Sequence, residues 1–538
     1  MKSSDLFVKI LELHWVKTIY WVPGEENLDF IDSLSRSNIE LIITRNEQTA
    51  VFMAATYWRF TWKIGVALST LWPWATNMVT WVWYAQLWAM PVLVITGQKP
   101  VIKSKQWSFQ IIDTVSMMTP ITKYSKTILS PLKIPYILNN AIRIAEEERP
   151  WAVHIELPED IAWMEIENID LLFQPVPILR RPQADDKIIN ILINELEKAK
   201  TPIILVWAWA NRKRITNYLS KFIAKNNIPY FCSQMWKWVV EWCFEQYLWT
   251  AALTSWDYIH DCLDKADLIL SVWYDPIEKP TKILTWDGTK VIHINFYSIE
   301  SDYVYNPYIW VIWDIWYTFR RLYESEINTN NWYFEDIIKC RRLNLLKIRD
   351  NLKLEDYNST MMPRRFIIEL RETLEDDDIL ALDNWLYKVW IARNYRVFKH
   401  NTLILDNAFA TMWAGLASAM ESKRLNPDKK VVCVTWDWWF VMNLWDLETA
   451  VRLWLDLVII ILNNKSYWMI KWKQKSSGFN NYWLDFQNPD FVKLAESFWA
   501  NWYKVTHKNN FLDTLKTALN NKWINIIDLD FEYPDEIK

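Results

Sequence analysis

One stretch of the chain sets a carboxylate and an amide at a spacing that suits a hard cation. The apolar run Val431-Val432-Cys433-Val434 leads into Thr435-Trp436-Asp437-Trp438-Trp439. A helical pattern over Asn443 to Leu453 follows, and a second apolar run, Leu457 to Leu462, ends in Asn463-Asn464. In a parallel sheet Asp437 and Asn464 would both lie at carboxyl ends of strands, where open α/β sheets place their ligands. A carboxylate and an amide oxygen are donors of the kind Mg²⁺ takes, with water or phosphate oxygens filling its other positions. With glycine at 436, 438 and 439, the turn would present backbone N–H groups to a phosphate at the start of a helix. The expected chemistry is a diphosphate and magnesium clamp, against the plainer reading of an Asp that caps a helix and an Asn pair in a turn.

Those three positions hold tryptophan, and the anomaly runs through the chain. Among 538 residues there are 39 Trp and 6 Gly, whereas glycine is ordinarily about 7% of a protein. Trp72-Pro73-Trp74 and Trp207-Ala208-Trp209 repeat the pattern where backbone logic asks for a turn glycine. An indole cannot replace a glycine used for positive φ or for close approach to a ligand. The composition therefore predicts that most of these tryptophans are glycines in the living protein, encoded by UGA in a lineage that reads that codon as glycine. The competing expectation, a tryptophan-rich carbohydrate-binding protein, wants aromatics on sheet faces, and here they fall in turns.

The elements that must position the clamp are legible from hydropathy. Short apolar runs alternate with helical patterns, the signature of parallel sheets with crossover helices. Strands are expected at Leu41–Ile43, Val66–Leu68, Val92–Ile95, Ile203–Val206, Leu268–Leu270, Val431–Val434 and Leu457–Leu462. The fold class is α/β with three doubly wound parallel-sheet domains, at residues 1–170, 185–325 and 365–538. A Pro-rich joint at 174–182 and a polar connecting stretch from Glu324 to about Arg365 separate them. Leu6 to Leu13 reads as an amphipathic first helix without the apolar core of a signal peptide. The uncharged stretch between Lys63 and Lys99 resembles a membrane span, but Pro73, Asn77, Gln86 and Pro91 make it a strand, a turn, a helix and a strand. Net charge is −4, with no basic block, which argues against nucleic acid as a partner. The five scattered cysteines lack a C-x-x-C pair and fit a reducing cytoplasm with no membrane attachment. The six histidines lie outside these motifs and are expected to be structural or surface residues.

Further motifs extend the pattern over nearly the whole chain. Val22-Pro23-Gly24-Glu25-Glu26-Asn27, Thr44-Arg45-Asn46-Glu47-Gln48, Thr70 to Asn77, Ile95-Thr96-Gly97-Gln98, Thr411 to Leu416 and Asn463 to Met469 stand in order. With the 24 residues between Trp438 and Asn463, they resemble the thiamine-diphosphate-dependent acetolactate synthase large subunits, with tryptophan wherever that family has glycine. The resemblance implies a pyrimidine-binding first domain, a central domain and a diphosphate-binding last domain. It implies thiamine diphosphate and Mg²⁺ as cofactors, 2-ketoacid substrates, and an active site between chains of a homo-oligomer, dimer or tetramer, with room for a small regulatory subunit. Glu47 is then the catalytic acid on the aminopyrimidine, although Asn46 departs from the histidine the family often has before it. Gln110 lies near the ketoacid, and Met412 wedges beneath the cofactor. Gly24, Pro73, Asn77, Trp413, Trp436, Trp438, Trp439, Trp468 and Met469 bind the cofactor; Asp437, Asn464 and Ser466 hold the metal. Trp472 reads as a genuine tryptophan at the substrate entrance.

The implied activity is acetolactate synthase: decarboxylation of pyruvate and addition of the two-carbon unit to a second 2-ketoacid, giving 2-acetolactate. A 2-ketoacid decarboxylase or pyruvate oxidase is the alternative. Val272-Trp273-Tyr274-Asp275-Pro276-Ile277-Glu278 and Glu159 resemble the FAD-free catabolic type, so FAD is not favoured.

Overall fold

The computed structural model describes residues 1–102, 109–167, 182–207, 213–233, 237, 245–251, 260–278, 288–302, 304–352, 359–405 and 409–534. The expected joint at 174–181, the turn residues Ala208 and Trp209, and Cys243 lie outside them.

Among the described residues three six-stranded sheets follow one another along the chain, and every strand pairing in them is parallel. The first runs, in spatial order, Glu40–Ile43, Thr18–Trp21, Gly65–Ser69, Val92–Gln98, Val153–Pro158, Ser125–Thr127. The third runs Leu403–Ile404, Ile379–Leu382, Val431–Trp436, Val458–Asn463, Asn525–Asp530, Asn501–Val505. Counted within each sheet, both have the order 2-1-3-4-6-5. The middle sheet, from Ile309–Ile312 through Leu268–Val272 and Pro202–Val206 to Tyr247–Ala251, has the dinucleotide-binding order 3-2-1-4-5-6 reversed. All seven strands expected from apolar runs form; parallel strands covered on both faces are hydrophobic throughout, whereas Glu40–Ile43 is a partly exposed edge strand. Val431–Trp436 and Val458–Asn463 are buried along their whole length.

The uncharged 63–99 stretch folds as Gly65–Ser69, two short helices at Trp74–Asn77 and Val79–Leu87, and Val92–Gln98. Among the described residues no helix is long and apolar enough to cross a membrane. The first helix, Ser3–Leu13, buries Leu6, Phe7, Ile10 and Leu11. The polar stretch after Glu324 contains the helix Glu335–Leu352. His154 lies fully buried between Thr96 Oγ1 and Ser125 Oγ, 2.8 and 2.9 Å away, and burial pushes its imidazole down to about 3. It is a neutral structural bridge between strands.

The first and third sheets meet through a helix pair. Glu47–Thr61 packs on Ala414–Leu425, with Thr56 Oγ1 3.2 Å from Ser418 Oγ. Below it Glu421, fully buried, accepts from Tyr20 Oη at 2.5 Å and from Arg424 at 2.8 Å. Burial pushes the Glu421 carboxyl up to about 7 against the pull of Arg424.

Candidate active site

In an order beginning 2-1-3, the winding of successive strands across the sheet reverses between the first and third strands, and the crevice for ligands opens at their carboxyl ends. In the first sheet those ends carry Gly24 and Thr70. Gly24 is extended, and a Cβ there would lie 2.3 Å from Thr70 Cβ, so only hydrogen fits. Thr70 Oγ1 donates to Glu26 at 2.5 Å, and Lys99 Nζ closes on the other oxygen of Glu26 at 2.6 Å. Asn46 caps the next helix by accepting from Gln48 N at 2.9 Å. That cap fixes Glu47 as the first helical residue, 5% exposed. Asn77 Nδ2 donates to Glu47 Oε2 and sits 3.3 Å from Asn46 Oδ1. Arg45 pairs with Glu448 at 2.6 Å. Asn77 is thus brought to Glu47 and Gly24 to Thr70 at the carboxyl ends of this sheet, with Pro73 and Asn77 exposed.

In the third sheet the equivalent ends carry Asp383 and Asp437. Asp437 is fully buried and starts the helix Asp437–Met442. Its Oδ2 accepts from Asn464 N at 3.1 Å, Lys465 N at 2.8 Å and Asn488 Nδ2 at 2.8 Å, and its Oδ1 from Trp438 N at 2.7 Å. Burial nevertheless pushes the carboxyl up to about 6, with those N–H donors pulling it back. Ser466, also buried, brings its N within 3.4 Å of Asn464 Oδ1. Asp437, Asn464 and Ser466, the three expected metal ligands, therefore form one cluster, and Met412, Trp438, Trp468 and Met469 pack around one apolar core beside it.

The tryptophans in this crevice do not fit a diphosphate with its metal. Trp436 is buried and stacks on Trp385 with ring centroids 4.4 Å apart. Its Nε1–H donates to Asn464 Oδ1 at 2.6 Å, the oxygen a cation would take. Trp439 turns its Nε1–H to Asn384 O at 2.7 Å, and Trp438 packs on Phe486. Trp413, at φ 60°, precedes the helix Ala414–Leu425 and sets its ring 5.3 Å from that of Trp81. The acidic and amide donors are in place; the volume between them is filled with indole.

The two crevices are linked within the chain. Thr49 Oγ1 donates to Asp446 Oδ2 at 2.5 Å and lies 3.3 Å from Asn443 Oδ1, and Arg45 N donates to Asp446 Oδ1 at 2.9 Å. Neither Asn443, Asp446 nor Asn488 was legible as a site residue. Asn488 sits in a loop with no periodicity, and Asn443 and Asp446 look like ordinary helix-end polars until their burial is seen. Gln110 adopts a left-handed φ of 56°, and among the described residues no hydrogen bond ties it to either crevice. Its neighbours 103–108 lie outside the described residues.

Comparison with known proteins agrees with this geometry. Residues 1–117 match the family described as thiamine pyrophosphate enzyme, N-terminal TPP binding domain; 189–322 match the central domain, and 386–529 the C-terminal TPP binding domain. An acetolactate synthase of Bacillus subtilis (strain 168) is 28% identical, over 100% of this chain and 94% of that relative. A probable acetolactate synthase large subunit of Methanococcus aeolicus is 27% identical, over 97% of this chain and 90% of its own. A catabolic acetolactate synthase of Raoultella terrigena is 27% identical, over 99% and 95%. With all three domains matched in order, the chain belongs to the thiamine pyrophosphate enzymes.

Proposed function

We propose that the protein is an acetolactate synthase that uses thiamine diphosphate and Mg²⁺. Two pyruvates and one proton become 2-acetolactate and CO₂: one carboxylate is lost and a carbon–carbon bond forms to the keto carbon of the second molecule. The observation that carries this reading is the end-to-end likeness to acetolactate synthases, the catabolic type among them, over nearly their full length. When bound, the cofactor supplies the carbanion chemistry, and the protein contributes binding, orientation and exclusion of water.

Glu47 is the buried carboxyl that would hydrogen-bond the cofactor's aminopyrimidine from the first crevice, and Asn77 donates to its Oε2. With glycine at 413, 436, 438 and 439, Asp437, the Asn464 side chain and the Ser466 backbone carbonyl would hold the metal in the second crevice, and Met412 would shape the floor. Gln110 faces the ketoacid. The enzyme works as a homo-oligomer in which the first crevice of one chain meets the second crevice of another, and it works without FAD, in the cytoplasm.

The test is incubation of the protein purified from its own cells with pyruvate, thiamine diphosphate and Mg²⁺. Acetolactate is the expected product. Acetaldehyde or acetyl phosphate without acetolactate would replace this reading with a decarboxylase or an oxidase.

A further inference from the structure

We infer that the active polypeptide carries glycine, not tryptophan, at two sets of positions: helix ends at 15, 62, 454 and 499, and the crevice at 413, 436, 438 and 439. The second set rests on the proposed cofactor; the first rests on backbone geometry alone.

Fourteen described non-glycine residues have left-handed φ, and eight of them are tryptophan: Trp15, Trp62, Trp249, Trp273, Trp413, Trp454, Trp483 and Trp499. Tryptophan is 39 of 538 residues, so chance would place about one there, and a left-handed residue with a Cβ is disfavoured by roughly 1–2 kcal/mol. The helix ends show why the backbone takes this shape. After Ser3–Leu13, Trp15 N donates to Glu12 O and Val16 N to Leu11 O, at 2.9 and 3.0 Å. After Leu447–Arg452, Trp454 N donates to Val451 O and Leu455 N to Ala450 O, at 3.0 and 3.1 Å. After Phe491–Ser497, Trp499 N donates to Glu496 O and Ala500 N to Ala495 O, both at 3.0 Å. These paired bonds form the Schellman motif, whose left-handed residue is usually glycine. The chain also spells the motif with a glycine: Gly478, φ 78°, donates to Lys475 O at 3.1 Å and Phe479 N to Gln474 O at 2.8 Å. Trp62, φ 59°, ends Glu47–Thr61 by the simpler bond to Trp58 O at 2.8 Å. The tryptophans make the same hydrogen bonds as the glycine and hold their rings in solvent: Trp15, Trp454 and Trp499 are 62%, 79% and 76% exposed.

In the crevice the indoles work against the donors around them. Trp436 occupies Asn464 Oδ1, and the Trp413 Nε1–H is buried with no acceptor among the described residues. Without the Trp436 side chain, Asn464 Oδ1 loses the indole donor that occupies it. The pattern requires a codon that the producing cell reads as glycine.

Peptide masses of the protein from its own cells decide the point. Peptides spanning 15, 62, 454 and 499, and those spanning 413, 436, 438 and 439, should carry hydrogen in place of the indolylmethyl group at each of those positions. Intact tryptophan masses at either set overturn the inference for that set. A second measurement compares Mg²⁺-dependent binding of thiamine diphosphate by calorimetry in the chain as spelled and in a chain with Trp413→Gly, Trp436→Gly, Trp438→Gly and Trp439→Gly. Saturable binding confined to the glycine chain is expected, and equal binding by both overturns the crevice set. Binding by the glycine chain without acetolactate formation supports the inference and refutes the proposed reaction.

Discussion

Replacing Trp15, Trp454 and Trp499 by glycine in the chain as spelled, with the same three changes to alanine as the comparison, separates backbone from side chain. Both replacements remove the ring contacts: Trp15 sits about 6 Å from Lys17 Nζ and Lys63 Nζ, and Trp454 lies 5.2 Å from Trp523. An exposed cation–π contact contributes about 0.5–1 kcal/mol, and that loss is common to both series. Alanine keeps its Cβ at φ 62°, 53° and 55°. Glycine removes a left-handed penalty of about 1–2 kcal/mol but has a more disordered unfolded chain, which costs about 0.5–1 kcal/mol. Glycine should therefore exceed alanine by roughly 1 kcal/mol at each site on those figures. Trp454 and Trp499 both meet Trp523, through its ring and its Nε1–H, so that pair needs its double variant, while Trp15 follows the first helix, beside the first sheet, and should add independently. The assay is urea unfolding followed by circular dichroism, reading a higher midpoint at unchanged slope. Triple-alanine and triple-glycine chains of equal stability would refute the reasoning, because a helix end that tolerates a Cβ has no need of glycine.

Other consequences can be checked separately. In the glycine-bearing enzyme, Glu47→Gln should lower acetolactate formation by about 10²–10⁴-fold, the range for loss of a general acid, with cofactor affinity within a few-fold by calorimetry. Asn488→Ala leaves the buried Asp437 short of an N–H, so unfolding free energy should fall by about 1–3 kcal/mol; unchanged stability would remove Asn488 from the site. Glu421 has its folded carboxyl raised to about 7 from an ordinary 4.5, so the folded state keeps a proton that the unfolded state releases. Stability from this group is full below pH 4.5 and declines as pH rises toward 7, by up to about 3 kcal/mol. Glu421→Gln should flatten that decline in unfolding midpoints taken across the same range, and an identical pH profile would place the proton elsewhere.

The strands at Val431–Trp436 and Val458–Asn463 were legible because burial on both faces makes them unbroken apolar runs, and their carboxyl ends follow from parallel pairing alone. Asp437 and Asn464 then had to meet. Gly24 and Glu47 were legible only by resemblance, since nothing in the sequence announces that a Cβ at 24 would strike Thr70 or that Asn46 starts a helix at Glu47. Asn488 reaches Asp437 from a loop, and no period encodes a loop's path. Nor was the shared winding of the first and third sheets legible: they keep strand order while their sequences retain no visible repeat. The misplaced tryptophans were conspicuous by count, but only the φ angles distinguish an indole at a helix end from one in a helix.

The shared winding has a geometric consequence. A chain that carries the same crevice twice can assign its organic grip to one copy and its ionic grip to the other. In the proposed oligomer, a molecule with a ring at one end and a charged tail at the other then reaches from the organic grip of one chain to the ionic grip of its neighbour, and its own length becomes the ruler that sets how far apart the two chains must stand.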